Sequence, residues 1–497
     1  MKVLLVYPQF PVTFWGFKYA LNFVSKKAVS PPLGLLTVAA MLPDDWEKRF
    51  IDMTTSRLKD KHLKWADYVF ISGMALQRQS VREVINRCRK VGVKIVAGGP
   101  LFTTEHTDFE GIDHLFVGET EDTFPQFVAD IKNGSPKPVY QQNEFPDITR
   151  TPIPLWEIVP KRKYSLMSIQ CSRGCPFNCE FCDVTTLNGH RPRTKTKEQV
   201  IVELERLYNW GWRDAVFFVD DNLIGNRRKI KEEILPALGQ WMKEKRYPFT
   251  FSSQVSIDLA DDEELMQLMI KAGFQTVFVG IETPHEESLA ECGKHQNIGR
   301  PLAESVRIIQ KNGLEVQAGF ILGFDSDPES IFVRLADFIQ STGIVTSMVG
   351  LLTAPKGSRL YNRLESEERL VKKTSGNNTD FSLNFIPKMN YETLLKGYRN
   401  VLAKIYSPHH YYERIKTFLK EFHRPRLRPV YFRYIHLIAL VKAMWRLGFI
   451  GKEKLHYWRL LFWSLTKRPV TLPSAIRFSI HGYHFRRVFE EQVKNMS

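Results

Sequence analysis

Cys175, Cys179 and Cys182 stand at the spacing C-x3-C-x2-C, directly after a predicted strand. Three thiolates on one short loop can each take a corner of a cubic iron–sulfur cluster, which leaves the fourth iron open to a substrate or cofactor. A structural zinc site or packed, unreactive thiols would use the same residue type. Zinc prefers two separated ligand pairs, however, and no second Cys or Cys/His pair stands at suitable spacing. Cys171 falls inside the preceding predicted strand and reads as a packed thiol rather than a fourth ligand, while Cys88 and Cys292 are isolated. Six cysteines in 497 residues make no disulfide framework. The opening apolar run Val3 to Tyr7 reads as a buried strand and not an export signal, so the cluster is expected in a reducing compartment.

The cysteine loop needs a scaffold, and a βα series supplies one. Strands are predicted at Leu166–Gln170, Ala215–Val219, Phe249–Ser253, Thr276–Ile281, Val316–Leu322 and Ser347–Leu352, separated by helix-period sequence. Six such units suit a partial (β/α)6 barrel of the TIM type, whose functional residues sit at strand C-termini. Polar residues fall at those ends, and Glu282 ends an apolar strand where a charge is poorly placed for core. Upstream, Val3–Tyr7, Tyr68–Met74, Val93–Ala97 and His114–Val117 run into turns at Ser72-Gly73-Met74, Gly98-Gly99-Pro100 and Gly118-Glu119. Strands alternating with helices give a Rossmann-like parallel sheet, and three glycine turns at its strand ends make a ligand platform. Residues 135–165 are Pro-rich and read as irregular. The chain therefore divides into an α/β domain (1–140), a linker (141–164), a barrel (165–364) and a mainly helical basic aromatic domain (365–497).

Composition, with 43% hydrophobic and 25% charged residues, excludes global disorder and a disulfide-stapled mini-fold. The net charge of +16 is local, because residues 401–497 hold 19 Lys+Arg against 5 Asp+Glu and so carry +14 of it. There the cations interleave with Tyr431, Phe432, Tyr434, Trp445, Tyr457, Trp458, Phe462, Trp463, Phe478, Tyr483 and Phe485. Such helices suit an anionic bilayer surface, an RNA, or simple packing on the barrel with a solvated face. No uncharged apolar stretch reaches membrane-spanning length.

The cysteine motif, with Phe181 before its last cysteine and a βα series behind it, resembles the signature of radical S-adenosylmethionine (SAM) enzymes over residues 165–360. The upstream domain is similar to the cobalamin-binding domain of class B radical SAM methyltransferases. The runs Ser172–Asp183, Phe218–Asn226, Gly280–Pro284 and Gly319–Asp325, followed by a basic C-terminal region of the DUF4070 type, resemble the hopanoid C-2 methylase branch. The resemblance implies that Cys175, Cys179 and Cys182 ligate a 4Fe-4S cluster whose free iron chelates SAM, which one-electron reduction cleaves to an adenosyl radical. It places Phe181 near the adenine and Asp220 and Asp221 at the methionine ammonium, although an N-cap reading serves Asp221 as well. Gln254, Ser256 and Glu282 become ribose or carboxylate contacts, with Gly323 and the turn Ala354–Ser358 close to the nucleoside.

In the first domain the resemblance sets cobalamin across Ser72, Gly73, Met74, Gly98, Gly99, Pro100, Gly118 and Glu119. The loop Pro8–Phe14 carries no His to ligate cobalt from below, a departure from many cobalamin proteins; the cofactor is expected to be retained with an open lower face. The implied activity is methyl transfer to an unactivated carbon of a hydrophobic small molecule or lipid such as a hopanoid. An electron donor such as flavodoxin or ferredoxin would feed it, at a cytoplasmic site peripheral to the inner membrane face. Ring or carbon–carbon bond formation without methyl transfer is the alternative. A tRNA-modifying role is disfavoured, since tRNA methylthiotransferases carry three further N-terminal cluster cysteines where this chain has only Cys88. Removal of residues 401–497 is expected to weaken membrane or substrate association and to leave cluster binding intact.

Overall fold

The computed structural model describes residues 1–423, 427 and 434–494; Tyr431 and Phe432 lie outside them. The first sheet comprises β1 (Lys2–Tyr7), β2 (Glu47–Asp52), β3 (Tyr68–Ser72), β4 (Lys94–Gly98), β5 (His114–Val117) and β6 (Val139–Gln141). They pair in parallel in the order β2-β1-β3-β4-β5-β6. Side chains alternate across the central strands, so that Leu4, Val6, Val69 and Ile71 enter one core while Val3, Leu5, Tyr68 and Phe70 enter the other. Both edge strands depart from the sequence expectation. β2 has a charged start at Glu47, Lys48 and Arg49 and so shows no apolar run, and β6 occupies a stretch expected to be irregular.

The linker is not loose. Three short 3-10 turns, Ile148–Arg150, Trp156–Ile158 and Lys161–Lys163, carry it across the first domain, with Trp156 and Tyr164 fully buried. The Tyr164 hydroxyl donates to Asp52 at 2.9 Å, and the Leu155 N–H donates to the Leu36 carbonyl at 3.1 Å.

The second sheet runs β14-β13-β12-β11-β10-β7, all parallel, as the inner wall of a partial barrel. Its members are β7 (Leu166–Ile169), β10 (Ala215–Phe218), β11 (Thr250–Val255), β12 (Phe274–Glu282), β13 (Glu315–Leu322) and β14 (Ser347–Leu351); a small hairpin, β8 (Ser172–Arg173) with β9 (Arg193–Thr194), stands between β7 and β10. Local signals set the βα units. Thr196 and Gln199 form a capping box that starts the helix Lys197–Asn209, and Asp262 accepts from the Leu265 N–H to start Glu263–Ala272, which Gly273 ends at φ 101°.

The C-terminal region is helical: Tyr391–Ile405, Pro408–Glu421, Tyr434–Ala443 continuing as Met444–Ile450, Lys454–Lys467 and Leu472–Lys494. It shares one continuous core with the barrel. The Tyr406 hydroxyl donates to the Ser347 carbonyl at 2.6 Å, and Tyr398 donates to Val349 at 3.1 Å. The loop after β1 enters the same core, where Phe14 stacks on Phe485 at 4.2 Å and Trp15 meets Phe278 at 5.4 Å. The basic aromatic residues therefore divide: Tyr457, Phe478 and Phe485 are buried, whereas Tyr434, Trp445 and Phe462 are exposed.

Candidate active site between two domains

The cysteine loop leaves the C-terminal end of β7 and is pinned at several backbone points. The Cys175 N–H donates to Gly189, the Cys182 N–H to Cys179, the Glu180 N–H to Cys292 and the Leu360 N–H to Glu180, at 2.8 to 3.2 Å. Gly174 is required where it stands: at φ 94° a Cβ would come within 2.8 Å of the Gly189 and Arg191 carbonyls. Cys175, Cys179 and Cys182 are each partly exposed, while Cys88, Cys171 and Cys292 are buried. β7 ends at Ile169, so Cys171 lies just past the strand and not inside it as expected; it is nonetheless completely enclosed. Burial pushes the thiols of Cys175 and Cys179 up, and that of Cys182 to about 12, with Lys294 pulling all three the other way. Among the described residues no three His, Cys, Asp or Glu side chains stand close enough to hold a single metal ion.

The carboxylates at the strand ends divide into two groups. Asp220, after β10, is fully buried and accepts from the N–H groups of Cys171 and Ser172 and from the Ser172 hydroxyl. Asp221 accepts from the Gly174 N–H and from Asn188 Nδ2, both at 3.0 Å. In these hydrogen bonds the two carboxylates, expected at a methionine ammonium, staple residues 171–174, because the turn leaves its backbone donors without other partners. Glu282 ends β12 where the register slips against β13, and its φ of 65° is strained for a residue with a Cβ. Its carboxylate pairs with Lys294 at 2.8 Å, and the pair lies over Gly280, where any Cβ would strike it. Burial works against the Lys294 ammonium, but Glu282 and the thiols of Cys179 and Cys182 outweigh it and hold its pKa above that of an ordinary lysine.

The other barrel candidates are distributed around the same strand ends. Ser256, after β11, exchanges hydrogen bonds with Asn222 at 3.1 and 3.2 Å, and Gln254 is half-buried on β11. Phe181 lies 6.3 Å from Phe324, ring to ring, and Gly323 at φ 105° donates its N–H to Asp327.

A cavity of about 340 Å³ lies between the two sheets. One wall is the C-terminal edge of the first sheet, with Ser72, Gly98, Gly99, Pro100, Gly118 and Glu119; the other is Gln170, Arg173, Leu187, Asn188 and Val219, which lead into and support the cysteine loop. Gly73 and Met74 were expected there too but do not line it: Gly73 packs toward Val81, and Met74 opens the turn Ala75–Gln77. Glu119 lines the cavity with its carboxylate already engaged, paired to Arg173 at 2.5 Å and to Arg193. Arg173 also pairs with Glu121 at 2.7 Å. Residues of the first domain are thus locked to the residue two positions before Cys175.

This arrangement has close relatives. A B12 binding domain model matches residues 21–128, a Radical SAM superfamily model residues 169–339, and the domain of unknown function DUF4070 residues 358–497. An uncharacterized methyltransferase of Synechocystis sp. is 40% identical over 98% of this chain and 91% of its own length. The hopanoid C-2 methylase of Rhodopseudomonas palustris is 34% identical over 94% of this chain and 90% of that one. The chain belongs to the family of cobalamin-binding radical SAM enzymes.

Solved folds agree. The cobalamin-dependent SAM radical enzyme OxsB superposes with a TM-score of 0.63 at 13% identity, over all of this chain and 80% of that one. The radical SAM methyltransferase TsrM of Kitasatospora setae gives 0.58 at 17%, over 75% and 79%. The domain architecture of this radical SAM enzyme matches that of known cobalamin-dependent methyltransferases.

The residues present fit the family's cofactors. Three partly exposed thiols share one pinned loop beside a buried cation, which suits a cluster of net negative charge. The cavity joins apolar walls from Leu35, Val38, Phe70 and Phe124 to the open backbone of Gly98, Gly99 and Gly118, as a large ring with polar edges requires. A Cβ at Gly99 would come within 2.6 Å of the Ser72 hydroxyl. Lys294 and the ion pairs of Arg173 were not singled out from the sequence, because each depends on contacts between separated segments: Lys294 stands twelve residues and a short helix beyond Glu282, and Arg173 meets acids more than fifty residues before it.

Proposed function

We propose that this enzyme transfers a methyl group to an unactivated carbon of a hydrophobic lipid, with a hopanoid-like polycycle as the substrate class, working from the cytoplasm at the inner membrane face. The observation that carries the reaction is the cavity whose opposite walls are the strand ends of the B12 binding domain and the run leading to the cysteines. The similarity to the hopanoid C-2 methylase carries the substrate class. When bound, the cluster with SAM supplies one-electron hydrogen-abstraction chemistry, cobalamin supplies methyl-carrier chemistry, and a flavodoxin- or ferredoxin-like donor supplies the electron.

The chain's own residues do the positioning. Cys175, Cys179 and Cys182 would hold the cluster, and Asp220 and Asp221 keep their loop in register by satisfying its N–H groups. Glu282 and Lys294 present a fixed charge pair next to that loop, and Phe181 on the loop with Gln254, Ser256 and Gly323 at the strand ends would contact SAM. Ser72, Gly98, Gly99, Pro100 and Gly118 would face cobalamin, and the Arg173 ion pairs hold that face against the barrel. Trp15 with Phe278 and Met348, which it touches, would offer a hydrocarbon substrate apolar, water-excluding contact.

Lipid profiling of a deletion strain tests this reading. Loss of a lipid species, with gain of its counterpart lighter by one methylene, is expected, and an unchanged lipid profile would remove the substrate class. Anaerobic turnover separates the ring-forming alternative, since methyl transfer yields S-adenosylhomocysteine together with 5'-deoxyadenosine.

A further inference from the structure

The last described third of the C-terminal region has an outer face that the rest of the molecule leaves bare. Along the helix Tyr434–Ala443 and its continuation Met444–Ile450, Tyr434, Leu437, Val441, Trp445 and Phe449 recur every three or four residues and are exposed, Tyr434 at 77% and Trp445 at 63%. The opposite side, with Ala439, Ala443 and Leu447, is buried. A helix apolar on both sides needs a second apolar partner. The next helix, Lys454–Lys467, repeats the pattern with Leu455, Trp458, Phe462 and Leu465 outward and Tyr457, Leu460 and Leu461 inward.

The two stripes form one surface. Trp445 meets Phe449 at 6.1 Å and Phe449 meets Trp458 edge-on at 5.9 Å, while the Trp458 indole N–H donates to the Gly448 carbonyl at 2.9 Å. The charges of the two helices are cationic. Arg446, Lys452, Lys454, Arg459 and Lys467 are exposed along them, with Lys452 lying 3.7 Å from Glu490 of the last helix, and between residues 434 and 470 the sole carboxylate, Glu453, is buried and paired with Arg486. No helix among the described residues is long and apolar enough to cross a membrane.

We infer that this two-helix face docks the enzyme on an anionic lipid bilayer, lying in the plane of the surface with its aromatic stripe in the headgroup–acyl boundary and its cations at the phosphates. An exposed apolar stripe with tryptophans, rimmed by Lys and Arg, is the composition that such a boundary takes. A second copy is the poorer occupant, because a two-fold contact would set the same cations against themselves. The inference deepens the proposed reaction on a membrane lipid and names the partner of the basic region.

The test is co-sedimentation of the full-length, cluster-reconstituted protein with vesicles of phosphatidylcholine alone or mixed with phosphatidylglycerol. Binding to the mixed vesicles, weakened by salt, is expected. The triple substitution Trp445→Ser, Phe449→Ser and Phe462→Ser should reduce it by about tenfold or more while iron content stays unchanged. Lys452→Glu, Lys454→Glu and Arg459→Glu, which leave the apolar stripe intact, should do the same. Absence of vesicle binding by the parent protein, or binding indifferent to both sets, overturns the inference. So does a parent dimer that the serine variant converts to monomer without either binding vesicles. The lipid profile of the deletion strain is a separate readout: vesicle binding with an unchanged profile leaves the docking face and removes the reaction, and a changed profile without vesicle binding does the reverse.

Discussion

At the scale of single residues, the site depends on buried charges whose partners are few. Glu282 and Lys294 pair with side chains only 9% and 13% exposed, so removing one strands the other. Breaking a buried pair this way costs roughly 3–5 kcal/mol. Glu282→Ala should therefore lower stability by about that amount in denaturant unfolding, and iron retention should fall with it; an unchanged midpoint would mean that Lys294 finds another partner. Asp220 offers a sharper reading. Burial raises its carboxyl from 3.8 to about 7, more than its hydrogen bonds to Ser172 and Cys171 lower it. The folded state thus binds the proton more tightly than the unfolded chain, and its contribution to stability is complete below pH about 4 and is lost as pH rises through about 7. The difference amounts to roughly 4 kcal/mol. Stability of the parent protein should fall more steeply between pH 4 and 7 than that of Asp220→Asn; parallel pH profiles would show that the carboxyl does not titrate there. The cysteines were legible as residues because their spacing is local. Asp220 was legible only as a carboxylate at a strand end, and its actual bonds required the fold of the loop 49 residues before it.

At the scale of elements, long apolar runs announced themselves and short or charged ones did not. β3, β4, β5 and the six barrel strands fall within a few residues of their predicted places, since most are largely apolar or alternating segments next to a turn. β2 and β6 were hidden because an edge strand is half-satisfied by solvent and needs no apolar run. Ser72, Gly98, Gly99, Pro100, Gly118 and Glu119 line the cavity, whereas Met74 does not and is exposed, ahead of a segment tied to a strap that crosses from the barrel. That strap, residues 367–386, connects the domains: Arg78 donates to the Thr374 carbonyl at 3.2 Å, and Lys373 pairs with Asp108. It lies close on β14, where a Cβ at Gly350 would overlap the Asn378 carbonyl. Gly350→Ala should cost roughly 1–3 kcal/mol of stability by overpacking. The Arg173 ion pairs are the second connection. Arg173→Ala leaves Glu121 at the cavity edge without its cation, Glu119 keeping Arg193, so cobalamin affinity measured by titration should drop by about tenfold or more while iron content is retained. Equal affinity in the two proteins would separate the clamp from the cavity.

At the scale of the whole molecule, the concentration of charge in residues 401–497 suggested an appendage, and the core contradicts that. The His484 Nε2–H donates to the Phe14 carbonyl at 2.8 Å, Tyr411 donates to the Phe478 carbonyl at 2.9 Å, and Tyr406 reaches β14, so the first loop, the barrel and the last helices close on one another. Phe418, Phe478, Phe485, Tyr406, Tyr411 and Tyr457 are all buried there. Each contributes about 1.5–3 kcal/mol by burial, so these six alone amount to roughly 9–18 kcal/mol, comparable with the 5–15 kcal/mol by which a domain is ordinarily stable. Deleting residues 401–497 should therefore yield aggregated protein without bound iron, and not the cluster-competent, merely detached enzyme that the sequence suggested. Gel filtration and iron analysis of the truncated chain check this directly. A monomeric, iron-loaded product would mean that the barrel folds without its C-terminal helices, and that Phe14 and Trp15 repack against β12 and β14 alone.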